Sequence, residues 1–327
     1  MESIVAPQLF SNAASSRDPA NNRIAGQNLL IGSLRIRAKH VKSDSCTANP
    51  TWYPGNQTEY PQICNSYFST RNEKTDTYDV NGLYNWSYQG CEPDIPLQTI
   101  YGQYKDYPCG GYTVDIPFNT TLDDALEIIK EFRLGHFARV STVRLLAVEF
   151  FVYNPAIDTF VTVKMLVEVT EGGGIIPVAR IKPFVIFPAT DSWLSLTFIF
   201  LLLVLFYCYR FAMDWRQDAV QSGNKFQFLF NLWNLLQFVN MFIFFVVYVY
   251  FFIWWYHSVR EPALFPRATQ AYPAALAGIA ELYTMQLYFN SVNTTITLIM
   301  FLKFCQLNYQ LNILQRTLIK AAPSITA

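Results

Sequence analysis

The stretch Phe226–Tyr256 reads FQFLFNLWNLLQFVNMFIFFVVYVYFFIWWY and contains no Asp, Glu, Lys or Arg. A run of that length meets the ~20 apolar residues that a helix needs to cross a hydrocarbon layer of ~30 Å. Two further apolar stretches flank it, Trp193–Tyr209 (WLSLTFIFLLLVLFYCY) and Leu282–Leu302 (LYTMQLYFNSVNTTITLIMFL). The residues before them are of another kind: polar, and holding 16 of the 24 Lys and Arg. The pattern is an extracellular domain over residues 1–190, followed over residues 191–327 by membrane helices at about 192–213, 226–256 and 284–309 and the start of a cytoplasmic linker.

Charge and cysteine usage narrow the chemistry. With no net charge, the chain lacks the basic stripe that displaces counterions from phosphates, so nucleic acid is excluded as a partner. Cys46, Cys64, Cys91 and Cys109 fall in the polar region, whereas Cys208 and Cys305 accompany apolar stretches, where a thiol acts as a small hydrophobe. Four cysteines permit three connectivities. The local pairing, Cys46 with Cys64 and Cys91 with Cys109, is expected because each loop is short and rich in turn residues. Asn56, Asn85 and Asn119 each open an Asn-x-Ser/Thr acceptor in loop-like sequence and are expected to carry glycans, while Asn293 matches inside an apolar stretch.

These readings put the first domain outside. The first apolar helix then runs inward, the second outward and the third inward. Arg210, Arg216 and Lys225 mark an inner turn and Arg316 and Lys320 an inner tail, against Arg260 and Arg267 on the outer loop, a small positive-inside margin. Met1–Gln27 has no apolar segment able to serve as a signal peptide. An upstream helix that carries the domain across the membrane is therefore expected.

Within the outer domain the pattern is α+β. Thr121–Phe132 reads as a helix with Thr121 as N-cap, apolar residues at helical spacing and Gly135 as a stop. Phe160–Thr170 alternates with period two, Val161, Val163, Met165, Val167 and Val169 falling on one face. Its expected partner is Val143–Tyr153, joined through the turn-forming pair Asn154-Pro155.

The run from Glu149 to Phe160 (EFFVYNPAIDTF), continuing through Val163–Glu168 to Gly172–Pro177, resembles the second half of the extracellular polycystin domain of polycystin-type transient receptor potential channels. Ile31–Arg37 with Ser45-Cys46 resembles the opening of that domain, and Cys64 falls where the first disulfide partner is expected. Gly110–Asp115 is similar to the segment before its helix. Phe230–Asn234 resembles the start of the family's third membrane helix, and Phe289-Asn290 with Phe301–Phe304 the fourth.

The resemblance implies an extracellular polycystin domain followed by membrane helices two to four of a voltage-sensor-like bundle, without the pore helices. It implies a cation-channel subunit, calcium included among the ions. Other polycystin-type subunits are the implied partners, in a homotetramer or heterotetramer, in a multi-pass arrangement within the lipid bilayer and by analogy in the ciliary membrane. In many members an acidic residue stands three positions after Asn234 and a basic one three positions after Lys303; here those places hold Gln237 and Gln306. Lys303 is thus the single basic residue between Leu282 and Gln315, and weak voltage dependence is expected.

The competing reading is a pore-less membrane-anchored structural, receptor or auxiliary subunit whose polycystin domain binds an extracellular protein or glycan partner. An enzyme is excluded: His40, His136 and His257 stand apart from any nucleophile or metal-ligand spacing, no cofactor motif occurs, and Gly172–Gly174 lacks the lysine and helix of a phosphate cradle. Asn231, Asn234, Gln237 and Asn240 fall on or near one helix face and are expected to bond to a neighbouring helix.

Overall fold

The computed structural model describes residues 23–24, 28–46, 64–80, 84–117, 120–137, 141–186, 191–223, 226–260 and 271–305. They form two units. The first takes the described residues up to Ile186 together with those of Arg260–Glu281, and the second takes those of Phe187–Val259 and of the chain from Leu282 onward.

The first unit is built on an antiparallel sheet. In chain order its strands are β1 (Arg23–Ile24), β2 (Asn28–His40), β5 (Tyr88–Gln89), β8 (Gly111–Ile116), β9 (Val143–Asn154), β10 (Thr159–Val169) and β11 (Ile175–Phe184). Across the sheet the order is β11-β10-β9-β2-β8-β5, with β1 folded back on β2. Two hairpins, β3 (Tyr78–Val80) with β4 (Tyr84–Trp86) and β6 (Ile100–Tyr101) with β7 (Asp106–Tyr107), stand off it.

Period-two sequence decides what each face buries. On β2, Leu34, Ile36 and Ala38 enter a core with Ile116, Val148, Phe150 and Val152, covered by Ala125, Ile129 and Phe132 of α1 (Leu122–Phe137). Arg35, Arg37 and Lys39 point to the other face, where Val41, Phe68, Ile100, Tyr107, Leu145 and Leu166 make a second core. β9 and β10 pair in register from Asn154↔Thr159 to Leu145↔Glu168, through a turn in which Asn154 Oδ1 accepts from the Ala156 amide at 2.9 Å. β11 is the far edge and carries Pro177 and Pro183.

α1 starts as its sequence requires: Thr121 Oγ1 accepts the Asp124 amide at 3.3 Å. It does not stop at Gly135 but runs on to Phe137. Glycine serves packing there, because a Cβ on it would come within 2.6 Å of Trp86 Nε1, and the Trp86 ring sits edge-on against Phe132 at 5.5 Å. Gly172–Gly174 form the β10–β11 turn, with Gly173 at φ +80 and Thr170 Oγ1 accepting the Gly174 amide at 2.9 Å. Disulfides join Cys46 to Cys64 and Cys91 to Cys109.

The helices are α2 (Asp191–Ser222), α3 (Leu232–Arg260) and α4 (Ala274–Cys305). α3 begins later than its apolar sequence does, since Gln227–Phe230 form a 3-10 turn that Asn231, extended at ψ 123, brings to an end. α4 begins earlier than its apolar stretch, directly after Pro273, and its first turns as far as Glu281 belong to the sheet unit. Among the described residues α2 over Ser195–Gln221 and α3 over Leu232–Val259 are long and apolar enough to cross a membrane. Within the second unit α3 and α4 run antiparallel: Trp254 meets Tyr283 at 6.1 Å, Tyr250 stacks on Phe289 at 5.4 Å, and Asn240 meets Thr297. α2 packs on α3 through Phe200 with Phe244 and Phe211 with Phe238.

Candidate functional site

The charged face of the sheet forms a socket for the head of α4. Gly32 lies at a bulge in β2, at φ +67, a conformation glycine adopts without strain. A Cβ there would fall 2.6 Å from Pro273 Cδ and 3.1 Å from Ala271 O, so the bulge is a notch into which the residues before α4 settle. Beyond it Tyr272 turns inward until 6% of it is exposed.

Tyr272 ties three elements together. Its hydroxyl donates to Glu149 Oε2 of β9 at 3.0 Å, and the Arg35 guanidinium of β2 lies over its ring at 4.3 Å. Arg35 also makes a two-pronged pair with Asp115 of β8 at 2.7 and 2.8 Å, the fork geometry that suits guanidinium to carboxylate. Arg37 reaches Glu149 at 3.3–3.4 Å. Burial by itself would push the Glu149 carboxyl up, but Arg37, Lys164, the Tyr272 hydroxyl and Arg35 outweigh it and hold the group below the usual carboxylate range. Burial and the Glu149 charge drive the Tyr272 hydroxyl well above its ordinary value, so it stays a proton donor.

About two turns into α4, Glu281 receives two cations: Lys164 Nζ of β10 at 3.3 Å and Lys182 Nζ of β11 at 2.8 Å. Glu281 is 2% exposed. The helix face between Tyr272 and Glu281 is small, with Ala274, Ala277 and Gly278, and a Cβ on Gly278 would come 2.7 Å from Ile95 Cγ2 and 3.0 Å from Pro96 O. Ile95 and Pro96 lie in the loop closed by the Cys91–Cys109 disulfide. The head of α4 is therefore held by a sheet notch, a charged clamp and a cross-linked loop.

Lys39 and Glu73 form a neighbouring buried pair at 2.6 Å, with the Tyr88 hydroxyl on the same carboxylate oxygen at 3.1 Å. Burial brings the Lys39 ammonium down to about 8, against the raising influence of Glu73. His40 is a core residue, its Nδ1 at 3.2 Å from Thr142 Oγ1.

In the second unit Asn240 of α3 reaches α4, whereas Asn231 and Asn234 bond locally at the start of α3. Asn240 is buried and donates from Nδ2 to Thr297 Oγ1 at 2.9 Å, and Asn234 Nδ2 donates to Phe228 O at 3.0 Å. Gln237 is half-buried on α3. Lys303 is carried by the α4 backbone, its side chain outside the described residues, as are Gln306, Asn56 and Asn119; Asn85 sits on β4 opposite Asp79. Among the described residues no cluster of His, Cys, Asp and Glu could hold a metal ion.

Reading the sequence alone misses the socket. Two signals pointed to it: Arg35, Arg37 and Lys39 alternate along a strand whose other positions are apolar, and Glu281 is the only acidic residue after Glu261. What could not be read is that these two features meet.

Comparison with known proteins follows the same partition. The family model for the polycystin domain matches residues 1–187 and that for the polycystin cation channel matches residues 189–327. Polycystin-2-like protein 1 of Homo sapiens is 22% identical over 217 residues, covering 65% of this chain and 25% of that protein. Polycystin-2 of Danio rerio is 23% identical over 214 residues, 64% of this chain and 22% of that protein. Polycystin-2 of Caenorhabditis elegans is 26% identical over 186 residues, 56% of this chain and 25% of that protein. The chain thus spans about a quarter of the length of these curated relatives.

Proposed function

The chain belongs to the polycystin family, and from that premise we propose that it is part of one subunit of a polycystin-type cation channel in which the sheet domain, on the outer side, sets the position of α4. The observation that carries this reading is the Glu281 clamp, which fastens the first turns of a long helix into the domain. A domain gripping a helix head through buried charges moves with it, because separating them strands charge away from its partners.

The membrane character of the protein rests on its family and its apolar helices; its multi-pass path is our proposal. The apolar run of α4 is interrupted by Gln286, Asn290, Ser291, Asn293, Thr294 and Thr295. Its hydroxyls are nonetheless satisfied within the helix: Ser291, Thr294, Thr295 and Thr297 each donate to the carbonyl four residues earlier at 2.8–3.0 Å. That back-bonding removes the cost of placing a hydroxyl in lipid and supports a transmembrane α4.

On this reading glycans occupy Asn56, Asn85 and Asn119, all outside. Lys303, with neutral Gln306 three residues on and neutral Gln237 on α3, forms a sparse voltage-sensor-like element. The subunit assembles with other polycystin-type subunits into a tetramer, in the ciliary membrane. The neutral Gln237 and Gln306 also favour the second reading, a pore-less subunit that keeps the domain for binding an extracellular protein or glycan. Patch recording of cells expressing the complete protein at their surface separates the two. A cation current whose activation shifts in Glu281→Gln is expected, and surface protein without current sinks the channel reading.

A further inference from the structure

The two disulfides of the sheet unit are held differently. Cys46 and Cys64 are both half-buried, and hydrogen bonds tie their surroundings a second time: the Cys46 amide donates to Cys64 O at 3.3 Å and the Cys64 amide to Asp44 Oδ1 at 3.4 Å. Cys91 instead stands in a run of exposed residues from 89 to 94. A Cβ on its neighbour Gly90 would meet nothing within 4 Å, so that flank is open. Its partner Cys109 is half-buried and borders a cavity of about 40 Å³ together with Gln98, Ala274 and Ala277.

The segment that this second disulfide closes is the one that touches the helix head. From Ile100 onward the loop is anchored in the sheet unit: Ile100 and Tyr107 are core residues, and Glu168 accepts the amides of Gln103, Tyr104 and Lys105. Residues 92–98 lean on themselves. Gln98 Nε2 donates to Ile95 O at 2.7 Å and to Glu92 O, and Gln98 Oε1 accepts the Glu92 amide at 3.3 Å. Leu97 sits at φ +54, where a side chain with a Cβ is strained. Ahead of them β5 pairs with β8 through two residues, Tyr88 and Gln89. The Cys91–Cys109 bond is thus a covalent tie between the sheet and the stretch that carries Ile95 and Pro96 against Gly278.

We infer that the Cys91–Cys109 disulfide is a thiol-reducible latch on the head of α4. The inference rests on the proposed role of the sheet domain in placing that helix. A small thiol, as its thiolate, attacks Cys91 Sγ; the sulfur–sulfur bond breaks and Cys109 leaves as a thiolate that takes a proton. A second thiol molecule displaces the first from Cys91, so two thiols are oxidised to one disulfide and the protein keeps two cysteine thiols. Exposed disulfides are the labile ones, which separates this bond from Cys46–Cys64. Once it is open, residues 92–98 are free to leave Gly278. The head of α4 then keeps its Tyr272 and Glu281 contacts and loses the third side of its hold.

The complete protein in native membranes, exposed to rising glutathione and then alkylated, reports by mass spectrometry which cysteines have opened, and hydrogen exchange on the same samples reports what is released. Cys91 and Cys109 are expected to be labelled at a glutathione concentration about ten-fold below the one that labels Cys46 and Cys64. Amide exchange at Glu92, Ile95 and residues 278–281 is expected to rise at that point, by on the order of ten-fold at Glu92 and Ile95, well within what freeing a closed loop of this length allows. Cys91→Ser with Cys109→Ser is expected to show the raised exchange without glutathione and no further rise with it. Neither readout needs a current, so a pore-less protein answers as well as a conducting one. Opening of Cys46–Cys64 first, or unchanged exchange over residues 278–281 in the unsubstituted protein once Cys91 and Cys109 are labelled, overturns the proposal.

Discussion

Tyr272, two residues ahead of α4, gives its hydroxyl proton to Glu149 in the middle of β9 at 3.0 Å, across 123 residues of chain. This bond fastens the approach to α4 to the sheet, and the Arg35 guanidinium at 4.3 Å closes over the ring from the other side. Tyr272→Phe keeps the stacking and deletes the donor. It is expected to lower the stability of the sheet unit by about 1–2 kcal/mol. Glu149→Gln, which strips Arg37 of its carboxylate, is expected to cost about 3–5 kcal/mol. Thermal unfolding of the protein in detergent measures both, and an equal effect of the two would contradict the pairing described.

The Glu149 carboxyl titrates below its ordinary 4.5 in the folded protein. A depressed acid contributes stability that is present above its unfolded value and lost as pH falls through the folded one. The melting temperature should therefore drop as pH falls below about 4.5, and Glu149→Gln should flatten that limb.

Lys39 gives the opposite limb. Its ammonium titrates near 8 when folded against 10.5 unfolded, so between those values the unfolded chain binds the extra proton and stability rises with pH. Melting temperature is expected to increase from pH 8 toward 10, and the double variant Lys39→Met, Glu73→Gln should abolish the slope. An unchanged slope in that variant would assign it to other groups.

Replacing Glu281 by Gln leaves Lys164 and Lys182 facing a neutral amide. Loss of about 3 kcal/mol is expected, recovered in large part by adding Lys164→Met and Lys182→Met, since a buried charge set can be exchanged for apolar groups at little cost. If the triple variant is no better than the single one, the two lysines are not partners of Glu281 in solution.

Gly278→Val forces the helix head off Ile95 and Pro96, and an overpacking cost of about 1–3 kcal/mol is expected. Cutting the Cys91–Cys109 disulfide with paired serines should relieve part of that cost by freeing the loop, a non-additivity that a double-mutant cycle reads directly.

The hairpin of β9 and β10 was legible in the period of two that runs from Val161 to Val169, but its faces were not: Val161, Val163, Met165 and Val167 are half-buried, while Thr162, Lys164, Leu166 and Glu168 are buried, the two charges finding partners there. The start of α1 was legible from Thr121, a local hydrogen bond. Its end was not, because Gly135 is fixed by Trp86, 49 residues back in the chain and invisible to local rules. The socket stayed hidden for the same reason. Arg35, Glu149, Lys182 and Tyr272 come from four segments, and only the sheet order and the Gly32 notch bring them together. The apolar stretches located α2 and α3, but the start of α4 was not legible from them: Ala274–Glu281, which buries Leu276 and Ile279, belongs to the sheet unit.

The outermost strand has a consequence for crowding. Antiparallel residues offer their amides alternately inward and outward, and β11 keeps its ladder to β10 although residues 177 and 183 are prolines, so those two must sit at outward positions. The free rim of the sheet is thus missing donors at two places along Ile175–Phe184. Copies of this domain brought edge to edge cannot zip into one continuous ribbon along that rim, which guards it against cross-β aggregation.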